Sequence, residues 1–212
     1  LVVLLEDARV NLKALPGIPV VKPGDDLPRL ILDALKDAGE TLIDGDTLAV
    51  TSKIVSKSEG RFVLLEDVTP SERANELSAL TGKDARLVEL NLRESVEISR
   101  TAPMIMVTRH RLGFISANAG IDQSNVDGGD TTVLLLPIDP DESARRIRDA
   151  ILAETGAKVG VVITDSHGRP FRLGNVGVAI GVAGMPALVD LRGQTDMLGR
   201  VLRVSVQGYA DM

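Results

Sequence analysis

Residues 159–181, VGVVITDSHGRPFRLGNVGVAIG, constrain this chain more than any other stretch. Val159, Val161, Val162 and Ile163 form a continuous apolar, β-branched run, the pattern of a strand buried on both faces, which needs covering layers on either side. The run breaks at Thr164, Asp165, Ser166, His167 and Gly168, so a carboxylate and a hydroxyl are expected just past the end of a buried strand. Gly168, Gly174, Gly177 and Gly181 would let the backbone approach a bound group, and Arg169 and Arg172 bring positive charge beside it. These residue types suit a metal-bound phosphoryl group. A plain strand, an Asx turn and surface arginines fit the same letters.

With 212 residues, 44% of them hydrophobic, the chain can bury a sizeable core in one large domain or two small ones. No apolar run approaches the roughly 20 residues that span a bilayer, and the N-terminus lacks the order of a signal peptide, so a cytoplasmic globular protein with no membrane partner is expected. The absence of cysteine excludes disulfides and thiolate sites and leaves any metal to oxygen ligands or the two histidines. Oxygen ligands favour magnesium or manganese. A net charge of −6 with 2% aromatic residues argues against nucleic acid as a partner. Small anions remain compatible, because cations gather locally at Lys53, Lys57 and Arg61, at Arg109 and Arg111, and at Arg169 and Arg172. His110, between two arginines, reads as a surface residue. His167 stands beside Asp165 and Ser166 and could touch substrate, but its spacing is not that of a zinc site.

Along the chain, Leu1 to Leu5 reads as a strand, and LPGIPVV at 15–21 as an ordered loop feeding an extended segment. Asp25 or Asp26 caps a helix over Leu27, Leu30, Ile31, Ala34 and Leu35 that Gly39 closes. Thr47 to Val50 reads as a strand running into TSKIVSKSEGR at 51–61, whose hydroxyls and lysines offer donors to phosphate without a Walker loop; taken alone, the stretch reads more often as a polar strand end. Thr69-Pro70-Ser71-Glu72 has capping-box spacing before a helix that Gly82 stops, and a second helix is expected from Asp84 to about Ser99. Met104 to Thr108 and Gly113 to Ala117 read as strands joined around His110, the second leading into NAGIDQSNV. There Asp122 and Asn125 could hold a metal and a nucleotide group, or simply bond within their own turn. Thr132 to Leu136 is a strand, Asp139 or Asp141 caps a helix to Gly156, and short strands are expected over Ala187–Leu191 and Val201–Val206. Without strict helix–strand alternation or a GxGxxG after the first strand, a mixed α+β fold with largely antiparallel sheets and flanking helices is expected.

The motifs ITDSHGRPFRLGNVGVAIG, TSKIVSKSEGR and NAGIDQSN, with LPGIPVVKPGDDL before them and LLLPIDPDESA between, occur in the order seen in one family. The chain resembles the coenzyme F420-0:L-glutamate ligases over nearly its whole length, so residues 1–212 are expected to form one ligase domain, divisible into two subdomains. The resemblance implies a GTP-dependent ligase that joins L-glutamate to coenzyme F420-0 or its precursor. It implies a divalent cation, manganese or magnesium, with potassium a further candidate, and a homodimer with interlaced sheets. Carried over by position, Asp122, Asp165 and Ser166 resemble the metal ligands. Ile18, Pro19, Val20, Val21, Ser52, Lys53, Lys57 and Asn125 resemble the nucleotide contacts. Relatives continue past the equivalent of Gly208–Asp211, so a C-terminal part of the site is expected outside these residues. The carboxylates alone also fit a metal-dependent phosphohydrolase or phosphotransferase, or a nucleotide-binding module without catalysis. No residue identifies itself as a general base.

Overall fold

The computed structural model describes residues 10–124, 129–168 and 173–212. The expected strand at Leu1–Leu5, and Asn125, Arg169 and Arg172, lie outside the described residues. Helix α1 (Leu27–Asp37) starts where Asp26 accepts a hydrogen bond from Arg29 N, with Pro28 in the permissive first turn, and it buries Leu27, Ile31, Ala34 and Leu35. Strand β1 (Thr47–Thr51) passes directly into helix α2 (Ser52–Ser58). The lysine- and hydroxyl-rich stretch is therefore helical, not a polar strand end. Its helical turn buries Ser52, Val55 and Ser56 on one side, so tertiary packing overrides the strand preference of Ile54 and Val55.

Strand β2 (Phe62–Leu64) precedes α3 (Glu72–Thr81), which is capped by Ser71, whose hydroxyl accepts from Ala74 N, and not by a Thr69 capping box. Gly82 ends α3 in the left-handed conformation. Helix α4 (Ala85–Arg93) stops well short of Ser99, because Ser95–Ala102 forms strand β3. That strand pairs antiparallel with β4 (Ile105–His110), which pairs in turn with β5 (Ile115–Ala117). Strand β6 (Thr132–Leu134) pairs antiparallel with β2. Helix α5 (Pro140–Thr155) is capped by Asp139 and closed by Gly156, as its sequence requires.

The anticipated buried strand is β7 (Gly160–Gly168), central in a three-stranded sheet between β1, which runs parallel to it, and β8 (Asn175–Ala183), which runs antiparallel. It extends further than expected: Asp165 lies within it, paired with Val178, just past a register shift between Ile163 and Thr164. A final antiparallel pair joins β9 (Leu188–Asp190) to β10 (Val206–Gly208), with a single bridge from Thr195 to Val201 where a longer strand was expected. The sheets are thus antiparallel apart from the β1–β7 pair, within a mixed α+β architecture.

The largest apolar cluster packs α1, α2 and α5 onto β1 and β7 through Ile31, Val50, Val55, Ile147, Ile151, Val161 and Ile163. A second gathers Leu65, Val68, Leu90, Val133 and Leu135, and a third Ala74, Leu77, Val88 and Met106. Gly181 serves this packing and not a ligand, since a Cβ there would lie 2.4 Å from the carbonyl carbon of Pro140 at the start of α5. Among the described residues no helix is long and apolar enough to cross a membrane.

Candidate active site

Three separate segments reach one cavity of about 450 Å³ between the cores. The β1–α2 junction supplies Thr51, Ser52, Lys53 and Ser56; the turn after β5 supplies Gly120, Ile121, Asp122 and Ser124; the outer half of β7 supplies Asp165, Ser166 and His167. The parallel pairing of β1 with β7 sets Thr51 opposite Thr164, which brings the first residues of α2 beside Asp165. Ser52, 3% exposed, donates from Oγ to Asp165 Oδ1 at 3.0 Å.

Asp122 is pinned by its backbone, which exchanges hydrogen bonds of 3.0 and 2.8 Å with Leu134 on β6. Its Oδ1 accepts from both N and Oγ of Ser124 at 2.7 Å, and Lys53 Nζ stands 2.8 Å from its Oδ2. Burial pushes the Asp122 carboxyl upward, but the hydrogen bonds from Lys53 and Ser124 and the lysine charge outweigh it and hold the group below the usual carboxylate range. Asp122 is therefore an anion at neutral pH.

His167 was expected to be at most a substrate contact, and the structure makes it part of the cavity wall. Residues two apart on a strand share a face, so its ring meets Asp165, with Nε2 3.1 Å from Oδ2 but out of line for a hydrogen bond. Neither ring nitrogen has an aligned partner among the described residues. Phe114 packs against His167 at 5.0 Å and stacks on His110, also at 5.0 Å, with ring planes 2° apart.

His110 is not a surface residue: it is fully buried. The alternation of β4 turns Met106, Thr108 and His110 inward and Arg109 outward, and that period of two was the signal available in the sequence. Nδ1 of His110 accepts from Leu112 N, leaving Nε2 facing Glu94 Oε2 at 3.5 Å. Arg61 and Arg111 also pair with Glu94, at 3.2 and 3.1 Å. These two arginines therefore belong to a structural ion cluster and not to a ligand-binding patch. Arg61 Nε donates to Leu136 O, which ties the cluster to the cavity wall.

Ser52, Lys53, Asp122, Asp165 and Ser166 thus share a cavity with His167 and Gly168, while the segment 18–21 and Lys57 do not line it. Ile18 and Val21 pack against the largest core, Pro19 and Val20 are exposed beside them, and Lys57 lies half-buried in the last turn of α2. Ser124 and Asn175 line the cavity without having been singled out; the hydroxyl two residues after Asp122 was the only hint of the first.

A family model described as F420-0:gamma-glutamyl ligase matches residues 17–212. A coenzyme F420:L-glutamate ligase of Methanothermobacter thermautotrophicus is 46% identical over 202 residues, covering 95% of this chain and 79% of that protein. Proteins of the same name from Methanopyrus kandleri and Archaeoglobus fulgidus are each 45% identical, covering 91% and 96% of this chain and 73% and 78% of their own lengths. The motif order read from the sequence and these likenesses agree, and the chain belongs to the F420-0:gamma-glutamyl ligase family.

Proposed function

We propose that this protein joins L-glutamate to coenzyme F420-0 or its precursor in coenzyme F420 biosynthesis, using GTP to activate the terminal carboxylate as an acyl phosphate. The observation that carries the reading, beside family membership, is the convergence of two carboxylates, a lysine and several hydroxyls on one cavity from three distant segments. An amine does not displace oxide from a carboxylate at neutral pH, so a leaving group must be installed first. Transfer of the γ-phosphoryl group to a carboxylate oxygen yields GDP. Attack by glutamate's amine at the acyl carbon then forms the amide, expels phosphate with that oxygen, and releases a proton.

The donor set suits a hard divalent cation, manganese or magnesium, because Asp122, Asp165 and Ser166 offer only oxygen. Among the described residues no three His, Asp or Glu side chains cluster as a closed cage, so such an ion would complete its shell from phosphate oxygens and water. The ion would neutralise charge on the phosphoryl oxygens. Ser52, through its bond to Asp165, fixes the orientation of that carboxylate, and Lys53 brings a positive charge within reach of a phosphate tail. A homodimer is part of the proposal, supported by the exposed apolar side chains of Leu188, Met197, Leu198, Val201 and Val204 along the C-terminal segment.

Isotope transfer tests the reaction order. F420-0 carrying oxygen-18 in its terminal carboxylate, incubated with protein, GTP, glutamate and Mn, is expected to give GDP and labelled inorganic phosphate, seen as an isotope-shifted phosphorus resonance. Pyrophosphate with label in GMP would replace the acyl phosphate by nucleotidyl transfer. Phosphate release independent of glutamate would replace the ligase by a hydrolase.

A further inference from the structure

The two cavity carboxylates differ in one respect that family membership does not explain. Asp165 receives a neutral donor, Ser52 Oγ, on Oδ1, and has no lysine or arginine partner among the described residues. Asp122 carries a cation of its own. Lys53 Nζ lies 2.8 Å from Asp122 Oδ2 and 3.1 Å from both the carbonyl oxygen and Oγ of Ser124. An ammonium has three hydrogens, and here three oxygens of a single turn receive them. Ser124 N and Oγ meanwhile occupy Oδ1 of the same carboxylate. All three hydrogens of the Lys53 ammonium thus have an acceptor, and both oxygens of Asp122 are engaged.

This arrangement has the form of a cation held by a ring of oxygens, with the cation supplied by the chain. A divalent ion is a stronger competitor for such oxygens than an ammonium, but both cannot sit against Oδ2, because like charges at that separation repel strongly. Lysine has the freedom to leave: its stem is flexible, and this side chain is 28% exposed. Asp122 cannot follow it, since its backbone is bonded on both sides to Leu134.

We infer that Lys53 occupies the cation position of Asp122, so that a divalent ion reaches this carboxylate only by displacing the ammonium. The displaced lysine is then available to phosphate oxygens brought by the nucleotide. Metal binding and nucleotide binding are thereby coupled through one side chain: the ion frees the lysine, and phosphate captures it. Removing the lysine has opposite effects on the two ligands. It strengthens binding of the metal alone and weakens binding of the nucleotide in the presence of metal. This inference rests on Asp122 being a metal ligand in the proposed function.

Titration of the chelator-treated protein with Mn, followed by calorimetry and by the electron paramagnetic resonance of free Mn, separates the two ideas. Lys53→Met and Lys53→Gln are expected to bind Mn more tightly, by up to about fivefold, the gain from removing a partly exposed competing ion pair. Lys53→Arg, which keeps the charge, should stay near wild type. Asp122→Asn should weaken Mn binding in both the wild-type and Lys53→Met backgrounds. Unchanged affinity in Asp122→Asn would overturn the metal assignment itself. Weakened binding in Asp122→Asn together with unchanged or weaker binding in both neutral Lys53 variants would leave that assignment standing and overturn the displacement. Melting in chelator checks that each variant is folded, and GDP titration at saturating Mn reads the opposite arm, a loss in Lys53→Met.

Discussion

Ser52 Oγ donates to Asp165 Oδ1 across 3.0 Å, joining residues 113 positions apart in the chain. The bond is possible because β1 and β7 run parallel in a register that sets Thr51 beside Thr164. It places the first residue of α2 against the carboxylate that the sequence makes most conspicuous, and it fixes which way that carboxylate faces.

Asp165→Asn is expected to preserve the fold, because an amide oxygen can still accept from Ser52, while removing the charge that a hard cation needs. Mn affinity should fall at least about tenfold, since affinity at oxygen sites is set by the count of charged ligands. The melting temperature in chelator should change little. Calorimetry giving the wild-type Mn affinity in a folded variant would remove Asp165 from the proposed metal site.

Gly181 and Gly177 lie on the same strand and should respond oppositely to alanine. At Gly181 a Cβ would fall 2.4 Å from Pro140 C and 2.5 Å from its carbonyl oxygen, backbone atoms that cannot rotate away. Forcing β8 off α5 should cost about 1–3 kcal/mol, the usual range for overpacking. At Gly177 nothing lies within 4 Å of a Cβ, so alanine should be neutral or slightly stabilising by reducing the freedom of the unfolded chain. Urea denaturation of both variants checks this; equal losses would mean that β8 needs glycine for its backbone and not for its approach to α5.

How much of this was legible in the sequence depended on whether a residue's environment is set locally. The burial of Val161 and Ile163 follows from an unbroken β-branched run, and the caps at Asp26, Asp139 and Gly156 follow from short-range chemistry. Asp122, Ser52 and Asp165 each stood out as polar groups after an apolar strand, but nothing local says that they share a cavity. That depends on the β1–β7 register and on the Asp122–Leu134 bridge. Helix α2 was hidden because Ile54 and Val55 favour extended backbone, and only packing against the core makes a helical turn there worthwhile. The length of α4 was overestimated because helical spacing carries through residues that pair instead with β4. His110 was misread because the charges of Arg109 and Arg111 suggested solvent, whereas strand alternation turns Arg109 out and Arg111 reaches Glu94.

Glu94 gives the last prediction, which concerns stability and not catalysis. Its side chain is 11% exposed and faces His110, Arg61 and Arg111 together. Burial pushes its pKa upward, but the His110 ring facing it, the charges of Arg111 and Arg61, and the hydrogen bond from Arg111 prevail and bring it from 4.5 down to about 2. A carboxyl whose folded pKa lies below its unfolded value binds fewer protons in the folded state, so its contribution is complete above the unfolded pKa. That contribution disappears as pH falls from about 4.5 to about 2. A shift of this size corresponds to a contribution of about 3 kcal/mol at neutral pH. Glu94→Gln should therefore lose about 3 kcal/mol at pH 7, because it leaves Arg61 and Arg111 without their counter-charge in a largely buried setting. The same variant should show a smaller loss at pH 3, where the wild-type carboxylate is already part-way to losing its advantage. Urea midpoints measured at pH 7 and pH 3 for both proteins decide it: a gap between wild type and variant that stays constant between the two pH values would mean that the loss comes from an amide nitrogen replacing an acceptor oxygen before the two arginines, and not from the charge.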